Sequence, residues 1–264
     1  MEREFKHLEI TTCASKILVI AMNRPQVLNA MNTQMMRELR DAFQELYIDP
    51  TSTNCVILTG TGERGFCAGA DLKERDGMSD AMWKRQHAIV EQMIRSIHDC
   101  PVPVLAAVNG VAMGGGFELA LAADFIYASS IARFALPEVT RGIMPGAAGP
   151  QNLPRACGVR RAKEIVLTGQ VFDAATAFEW GIVNRVCAPQ DLLQDCIDTA
   201  SLIACNAPIG VRQAKKSLDK ATELDRHSGY AFEIEAYNLT IPTKDRLEGV
   251  RAFNEKRKPV FNGQ

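Results

Sequence analysis

Two apolar runs of strand composition, residues 54–59 and 102–109, each end directly in a glycine-rich segment, and this pairing limits the folds open to the chain. The first leads into Gly60-Thr61-Gly62-Glu63-Arg64-Gly65-Phe66-Cys67-Ala68-Gly69-Ala70-Asp71-Leu72-Lys73, with a helix start expected at Ala70-Asp71. The second leads into Ala112-Met113-Gly114-Gly115-Gly116-Phe117-Glu118-Leu119-Ala120-Leu121-Ala122-Ala123-Asp124. Upstream, residues 8–12 and 17–22 read as strands, and 33–47 and 80–99 have helical periodicity. Strand and helix in alternation favour right-handed crossovers and a largely parallel sheet, with ligands at the strand ends.

Consecutive glycines let backbone approach backbone or ligand closely. A helix starting there turns its unpaired N–H groups toward developing negative charge. Glu118 then falls one turn inside that helix among Phe, Leu and Ala side chains, where desolvation raises a carboxylate pKa toward neutrality. Two loops, each offering N–H groups at a helix start, are what an oxyanion hole requires. The bland reading of the same glycines is tight helix packing. A second carboxylate shifts the balance: Phe134-Ala135-Leu136-Pro137-Glu138 again sets one Glu in an apolar stretch. Paired carboxylates beside such donors suit proton transfer next to a carbonyl. Glu138 alone also fits plain stabilisation of a helix N-terminus after Pro137. Asp124 leaves its helix in another direction and reads as structural.

Other chemistries find little support. The first glycine segment lacks both the Walker Gly-Lys-Ser/Thr and a spaced G-x-G-x-x-G. The eight cysteines form no C-x-x-C pair and have no histidine at zinc spacing, so metal binding is not expected, and the thiols read as buried in a reducing compartment. The four histidines lie outside every glycine-rich segment. A net charge of −1 argues against a broad nucleic-acid footprint. No apolar run reaches the ~20 residues that cross a bilayer. Met1-Glu2-Arg3-Glu4-Phe5-Lys6 lacks the core of a secretory signal, so the expected location is cytoplasmic, or a mitochondrial matrix if a transit peptide once preceded it.

Beyond residue 155 the pattern turns helical over 160–168, 173–180, 189–205, 208–222, 228–238 and 244–256, with caps at Asp173 and Thr243 and one extended piece at 182–186. The reading is a strand-rich core over 1–195 followed by a helical region over 196–264.

Cys67-Ala68-Gly69-Ala70-Asp71-Leu72-Lys73-Glu74, Ala107-Val108-Asn109-Gly110, Gly114-Gly115-Gly116-Phe117-Glu118-Leu119-Ala120 and Phe134-Ala135-Leu136-Pro137-Glu138 together closely resemble the crotonase (enoyl-CoA hydratase/isomerase) superfamily. The likeness runs from Asn23-Arg24-Pro25 to Arg257. It implies an α/β fold, a spiral of repeated ββα units in two sheets, and a C-terminal helical region that makes trimers, commonly paired into hexamers. It implies reversible syn addition of water to a 2-enoyl-CoA, with coenzyme A part of the substrate and no separate cofactor. Glu118 and Glu138 align with the two catalytic glutamates, and the backbone N–H groups of Ala70 and Gly115 with the oxyanion hole. CoA contacts are implied at Arg24, Ala68, Asp71, Leu72 and Lys73, and at Phe253 and Lys256 from a neighbouring subunit. Gln26 and Pro150 depart from the pattern, which commonly has Lys and Thr there. Residues 72–75 and 240–246 look like methylglutaconyl-CoA hydratases, and 116–125 like carnitinyl-CoA dehydratases. A Δ3,Δ2-enoyl-CoA isomerase on this fold often needs only the carboxylate matching Glu138. A non-catalytic RNA-binding or scaffold homologue would use patches such as Arg155, Arg160, Arg161 and Lys163, or Lys215, Lys216 and Lys220.

Overall fold

The computed structural model describes residues 4–13 and 16–264. β1 (Leu8–Cys13) and β2 (Ile17–Met22) pair antiparallel. α1 (Thr33–Ile48) starts at Asn32, whose side chain accepts the Met35 N–H at 2.9 Å, and buries Met35, Met36, Leu39, Ala42, Phe43 and Leu46 along one helical stripe. Three strand–strand–helix units follow. They are β3 (Cys55–Gly60), β4 (Gly65–Cys67), α2 (Leu72–Arg75) and α3 (Asp80–His98); then β5 (Val104–Val108), β6 (Val111–Met113) and α4 (Gly115–Leu121); then β7 (Phe125–Ser129), β8 (Arg133–Ala135), a 3-10 turn at Glu138–Arg141 and α5 (Gly149–Cys157). α6 (Val159–Thr168), β9 (Phe172–Asp173), α7 (Ala174–Glu179) and β10 (Arg185–Cys187) precede the C-terminal helices α8 (Leu192–Ala204), α9 (Pro208–Lys220), α10 (Arg226–Asn238) and α11 (Lys244–Asn254).

The first strand of each unit joins a six-stranded sheet in the order β1-β2-β3-β5-β7-β10, and the second joins a four-stranded sheet in the order β4-β6-β8-β9. Each turn of chain therefore advances both sheets by one parallel strand, which is the spiral that the family resemblance implies. The single parallel sheet expected from strand–helix alternation is corrected in this respect: β4, β6 and β8 form a second layer. The extended piece expected at 182–186 is β10, shifted toward Cys187, while Ile182 and Val183 are buried ahead of it.

The inner strands of the large sheet, β2, β3, β5 and β7, are buried on both faces because both are covered. Leu18, Ile20, Val56 and Leu58 enter the main core with α1 and α3, while Ile17, Val19, Cys55 and Ile57 face Leu192, Cys196 and Ala200 of α8. Asp124 is structural, accepting the Val104 N–H at 2.6 Å and Lys215 Nζ at 2.8 Å, so that α9 is tied to the start of β5. Among the described residues, no helix is long and apolar enough to cross a membrane.

Asn29 organises the turn that leads to the site. It is fully buried with φ 56, a left-handed conformation that Asn tolerates well. Its Oδ1 accepts the Arg24 N–H at 2.9 Å, and its Nδ2 donates to Thr61 O at 3.0 Å and Gly65 O at 2.8 Å. Asn29→Ala strands these groups and is expected to lower unfolding free energy by about 2 kcal/mol. Urea unfolding checks this; an unchanged midpoint would show the turn to be held by other contacts.

Candidate active site

α4 begins where β6 leaves the small sheet. Gly114 has φ 53 and ψ −127, a conformation only glycine adopts readily, and its N–H donates to Ala135 O at the end of β8 at 2.9 Å. Gly115 is the first residue of α4, so its N–H has no partner inside the helix. The second donor comes from the β4–α2 connection. Met31 and Ala70 form a parallel bridge in which Met31 N–H donates to Gly69 O and Asp71 N–H to Met31 O. That register leaves the Ala70 N–H directed away from Met31. A Cβ built on Gly115 would lie 3.8 Å from the Ala70 nitrogen, so the two N–H groups come from adjoining backbone.

Glu118 sits in the first turn of α4 and is 2% exposed. Its Oε1 accepts N–H bonds from Ala147 and Gly149, both at 2.8 Å. These donors favour the charged form, yet burial outweighs them and raises the pKa to about 7, with Glu138 adding to the rise. Glu138 opens the 3-10 turn after Pro137. Its pKa is also raised by burial, against backbone hydrogen bonding and the charges of Arg141 and Arg75. Its Oε2 is buried and has no hydrogen-bond partner among the described residues. A Cβ on Gly114 would lie 2.6 Å from Glu138 Oε1, so the glycine run clears the space that this carboxylate fills. Helix capping alone does not account for such an atom.

A cleft of about 930 Å³ collects both glutamates with Ala68, Gly69, Ala70, Leu72, Gly114 and Gly115. The remaining residues expected to contact CoA lie outside its lining. Arg24 pairs with Asp71 at 2.9 Å and donates to Ala30 O, an arrangement that braces the loop carrying Ala70. Asp71 also caps α2. Lys73 is exposed, and Phe253 (83% exposed) and Lys256 stand at the end of α11. Cys67 lies close to the donors but is fully buried, with its thiol pushed up to about 12, too high for a nucleophile. Among the described residues, no group of three or more His, Cys, Asp and Glu is disposed to hold a metal ion. In the two basic patches, Lys215 pairs with Asp124, Lys220 with Glu223, and Arg161 with Glu164.

Sequence reasoning missed Arg75, Trp83 and His87, which line the cleft from α2 and α3. Gly146 is where His87 comes close: a Cβ there would lie 2.8 Å from the imidazole Cε1.

The raised pKa of Glu118 carries a stability signature. Between the ordinary value of 4.5 and about 7 the folded chain binds more protons than the unfolded chain, so stability falls as pH rises through that window. Glu118→Gln keeps the shape and an acceptor for Ala147 and Gly149 without the charge. It is expected to exceed wild type in stability at pH 8 by roughly 1 kcal/mol, or about 2–4 °C in Tm, with the gap closing toward pH 4.5. A gap that widened on acidification would contradict the assignment.

Residues 12–264 match the family described as enoyl-CoA hydratase/isomerase. A relative in Clostridium acetobutylicum, a short-chain-enoyl-CoA hydratase, is 38% identical over 92% of this chain and 93% of its own length. The mouse enoyl-CoA hydratase domain-containing protein 2, mitochondrial, is 43% identical over 94% of this chain and 85% of its own. The crystal structure of an enoyl-CoA hydratase from Bacillus anthracis superposes with a TM-score of 0.96 at 40% identity, covering 98% of this chain and all of that one. With sequence, spiral and paired glutamates in agreement along nearly its full length, the chain belongs to the enoyl-CoA hydratase/isomerase family.

Proposed function

We propose that this hydro-lyase adds water reversibly, in the syn sense, across the C2=C3 bond of 2-enoyl-CoA thioesters. The observation that carries the reading is the convergence of Glu118 and Glu138 on one cleft with the Ala70 and Gly115 N–H groups. The thioester oxygen accepts from these two N–H groups, which stabilise the charge that builds there as C3 is attacked, at about 3–4 kcal/mol for a well-aimed donor. The glutamates share the proton work as a coupled pair. One carboxylate takes a proton from the water whose oxygen bonds to C3; the other delivers a proton to C2 as the enolate collapses. Raised pKa values suit both tasks near neutrality. Coenzyme A enters as part of the substrate, with Ala68, Asp71, Leu72 and Lys73 beside it.

Exposed Leu218, Ile234, Tyr237 and Phe253 on α9, α10 and α11 support a homotrimer, or a hexamer of two trimers, with Phe253 and Lys256 reaching a neighbour's CoA. The helical region at 196–264 serves as the assembling unit on the core over 1–195. The eight free cysteines suit a reducing compartment, the cytoplasm or an organelle matrix.

Crotonyl-CoA is expected to lose its 2-enoyl thioester absorbance on incubation with the protein. Isomerisation of a 3-enoyl-CoA without hydration would favour the isomerase, and inertness toward every ester would favour a non-catalytic homologue.

A further inference from the structure

Five non-glycine residues among those described have positive φ: Lys16, Leu28, Asn29, Ala148 and Lys256. Lys16 and Lys256 are exposed, while Leu28 and Asn29 are consecutive in the turn that Asn29 organises. Ala148 is different. It stands at φ 69 and ψ 8 immediately ahead of α5, with its side chain half-buried against the core. Alanine has no side-chain hydrogen bond to offset that conformation, which crowds Cβ against the following carbonyl. Strain of this kind persists only where the surroundings over-determine it, and it gathers at functional sites.

Ala148 is held from both sides. Its carbonyl accepts the N–H groups of Gln151 at 3.0 Å and Asn152 at 2.9 Å, which fixes it to the first turn of α5. The flanking N–H groups, of Ala147 and Gly149, both end on Oε1 of Glu118 at 2.8 Å. An extended residue at 148 would hold those two groups roughly 7 Å apart, too far for both to reach one atom. A right-handed residue would extend α5 and align both N–H groups along its axis. The left-handed bend makes them converge, as in the backbone nests that bind anions. A Cβ on Gly149 would lie 2.8 Å from Oε1 and 2.9 Å from Cγ of Glu118, so the segment closes on the carboxylate more tightly than a side chain at 149 allows. An oxygen that already accepts two N–H bonds has no lone pair left for a proton, and the exchange falls to Oε2.

We propose that Ala148 is a positioning residue: held left-handed, it turns Ala147 and Gly149 onto Oε1 of Glu118 and reserves Oε2 for the proton that moves in hydration. Ala148 does not line the cleft, so it acts through Glu118 alone. The inference rests on the hydratase reading above and names the oxygen that acts and the residue that selects it. An O–H bond of water breaks as Oε2–H forms, or Oε2–H breaks as C2–H forms; Oε1 keeps its two donors throughout.

The test ranks side chains at 148 by their tolerance of positive φ rather than by size. Ala148→Gly and Ala148→Asn keep the left-handed turn, whereas Ala148→Val, with a β-branched side chain, excludes it. The first two are expected to keep wild-type kcat for crotonyl-CoA and to unfold no lower than wild type. The third is expected to lose at least ~30-fold in kcat, as misplaced catalytic groups do. Difference infrared titration against Glu118→Gln follows the Glu118 carboxyl itself. N–H donors favour its charged form, so in Ala148→Val its midpoint is expected to rise from about 7 by roughly one unit. Glu138 acts on the same carboxyl from the 3-10 turn, and Arg75 from α2, Lys84 and His87 from α3 and Arg141 face the same cleft; the substitutions alter none of them.

An unmoved midpoint in Ala148→Val would overturn the proposal whatever its kcat, and so would a raised midpoint with unchanged kcat. If that variant does not fold, the other two decide: a catalytic loss in Ala148→Asn, or unfolding below wild type in Ala148→Gly, would show that residue 148 supplies a packed methyl group and not a turn. Because the titration needs no substrate, the two readings fail separately. A raised midpoint without hydration of any ester would sink the hydratase and leave the positioning role; hydration by every variant with the midpoint in place would do the reverse.

Discussion

Glu118→Gln and Glu138→Gln are each expected to lower kcat for crotonyl-CoA hydration by at least ~100-fold, with KM changed far less. The amide keeps the volume of the acid, and at 118 it keeps an acceptor for the Ala147 and Gly149 N–H groups at their 2.8 Å positions. What it removes is a proton acceptor in one direction and a donor in the other. Hydration needs both jobs in one transition state, one at the attacking water and one at C2. Glu138 offers the sharper case, since its buried Oε2 has no protein partner among the described residues and so loses only its chemistry. Residues acting as a unit are non-additive, so the double variant falls little further than the weaker single one. Stopped assays with matched circular-dichroism spectra check this. Full hydration by Glu118→Gln, together with turnover of a 3-enoyl ester, would move the assignment to an isomerase that relies on Glu138.

The parts of this site that were legible in sequence are those where chemistry and geometry lie within a few residues. Gly114, Gly115 and Glu118 belong to one strand-to-helix turn, so a glycine run followed by an acid in an apolar helix fixes donor and carboxylate together. Glu138 was legible because an acid between apolar residues has few reasons to be there. The lining of the cleft was not legible. Trp83 and His87 lie on α3, whose pattern is that of any amphipathic helix, and which neighbour its exposed face meets is decided by tertiary packing. Arg75 reads as a surface cation until Gln86, eleven residues on, is seen to hold it. β4, β6 and β8 have three residues each, too few for a period of two to register, and glycine beside them signals a loop. Pairing across the small sheet makes them strands. The two departures from the family pattern have simple accounts. Pro150 occupies the first turn of α5, where no intrahelical N–H is needed, and its neighbour Gly149 still donates to Glu118. Gln26 is exposed in the 3-10 turn at Pro25–Val27 and does not line the cleft.

Gly116→Ala is expected to cost about 3 kcal/mol of stability and at least ~100-fold in kcat, though residue 116 does not line the cleft. The added Cβ would lie 2.0 Å from Cys67 O and 2.7 Å from Cys67 C. Both are backbone atoms of β4, a fully buried strand, so no side chain can swing aside to make room. Ordinary contact then requires α4 and β4 to separate by more than ~1 Å in a core packed near crystal density. The two elements carry the two N–H groups proposed as the oxyanion site: α4 begins with Gly115, and the segment leaving β4 delivers Ala70. Moving them apart detunes both donors at once and draws Glu118 from Ala147 and Gly149, and a displacement of this size is enough for a hundredfold loss. Gly229→Ala is the control, because its Cβ meets nothing within 4 Å inside α10 and Ala favours a helix interior over Gly by about 1 kcal/mol. It should gain stability and leave kcat unchanged. Urea midpoints measure the first effect, and kcat corrected for the folded fraction measures the second. A Gly116→Ala protein that folded poorly but turned over normally per folded molecule would show that the donor geometry tolerates the shift, and that catalysis draws on the two glutamates far more than on the backbone between them.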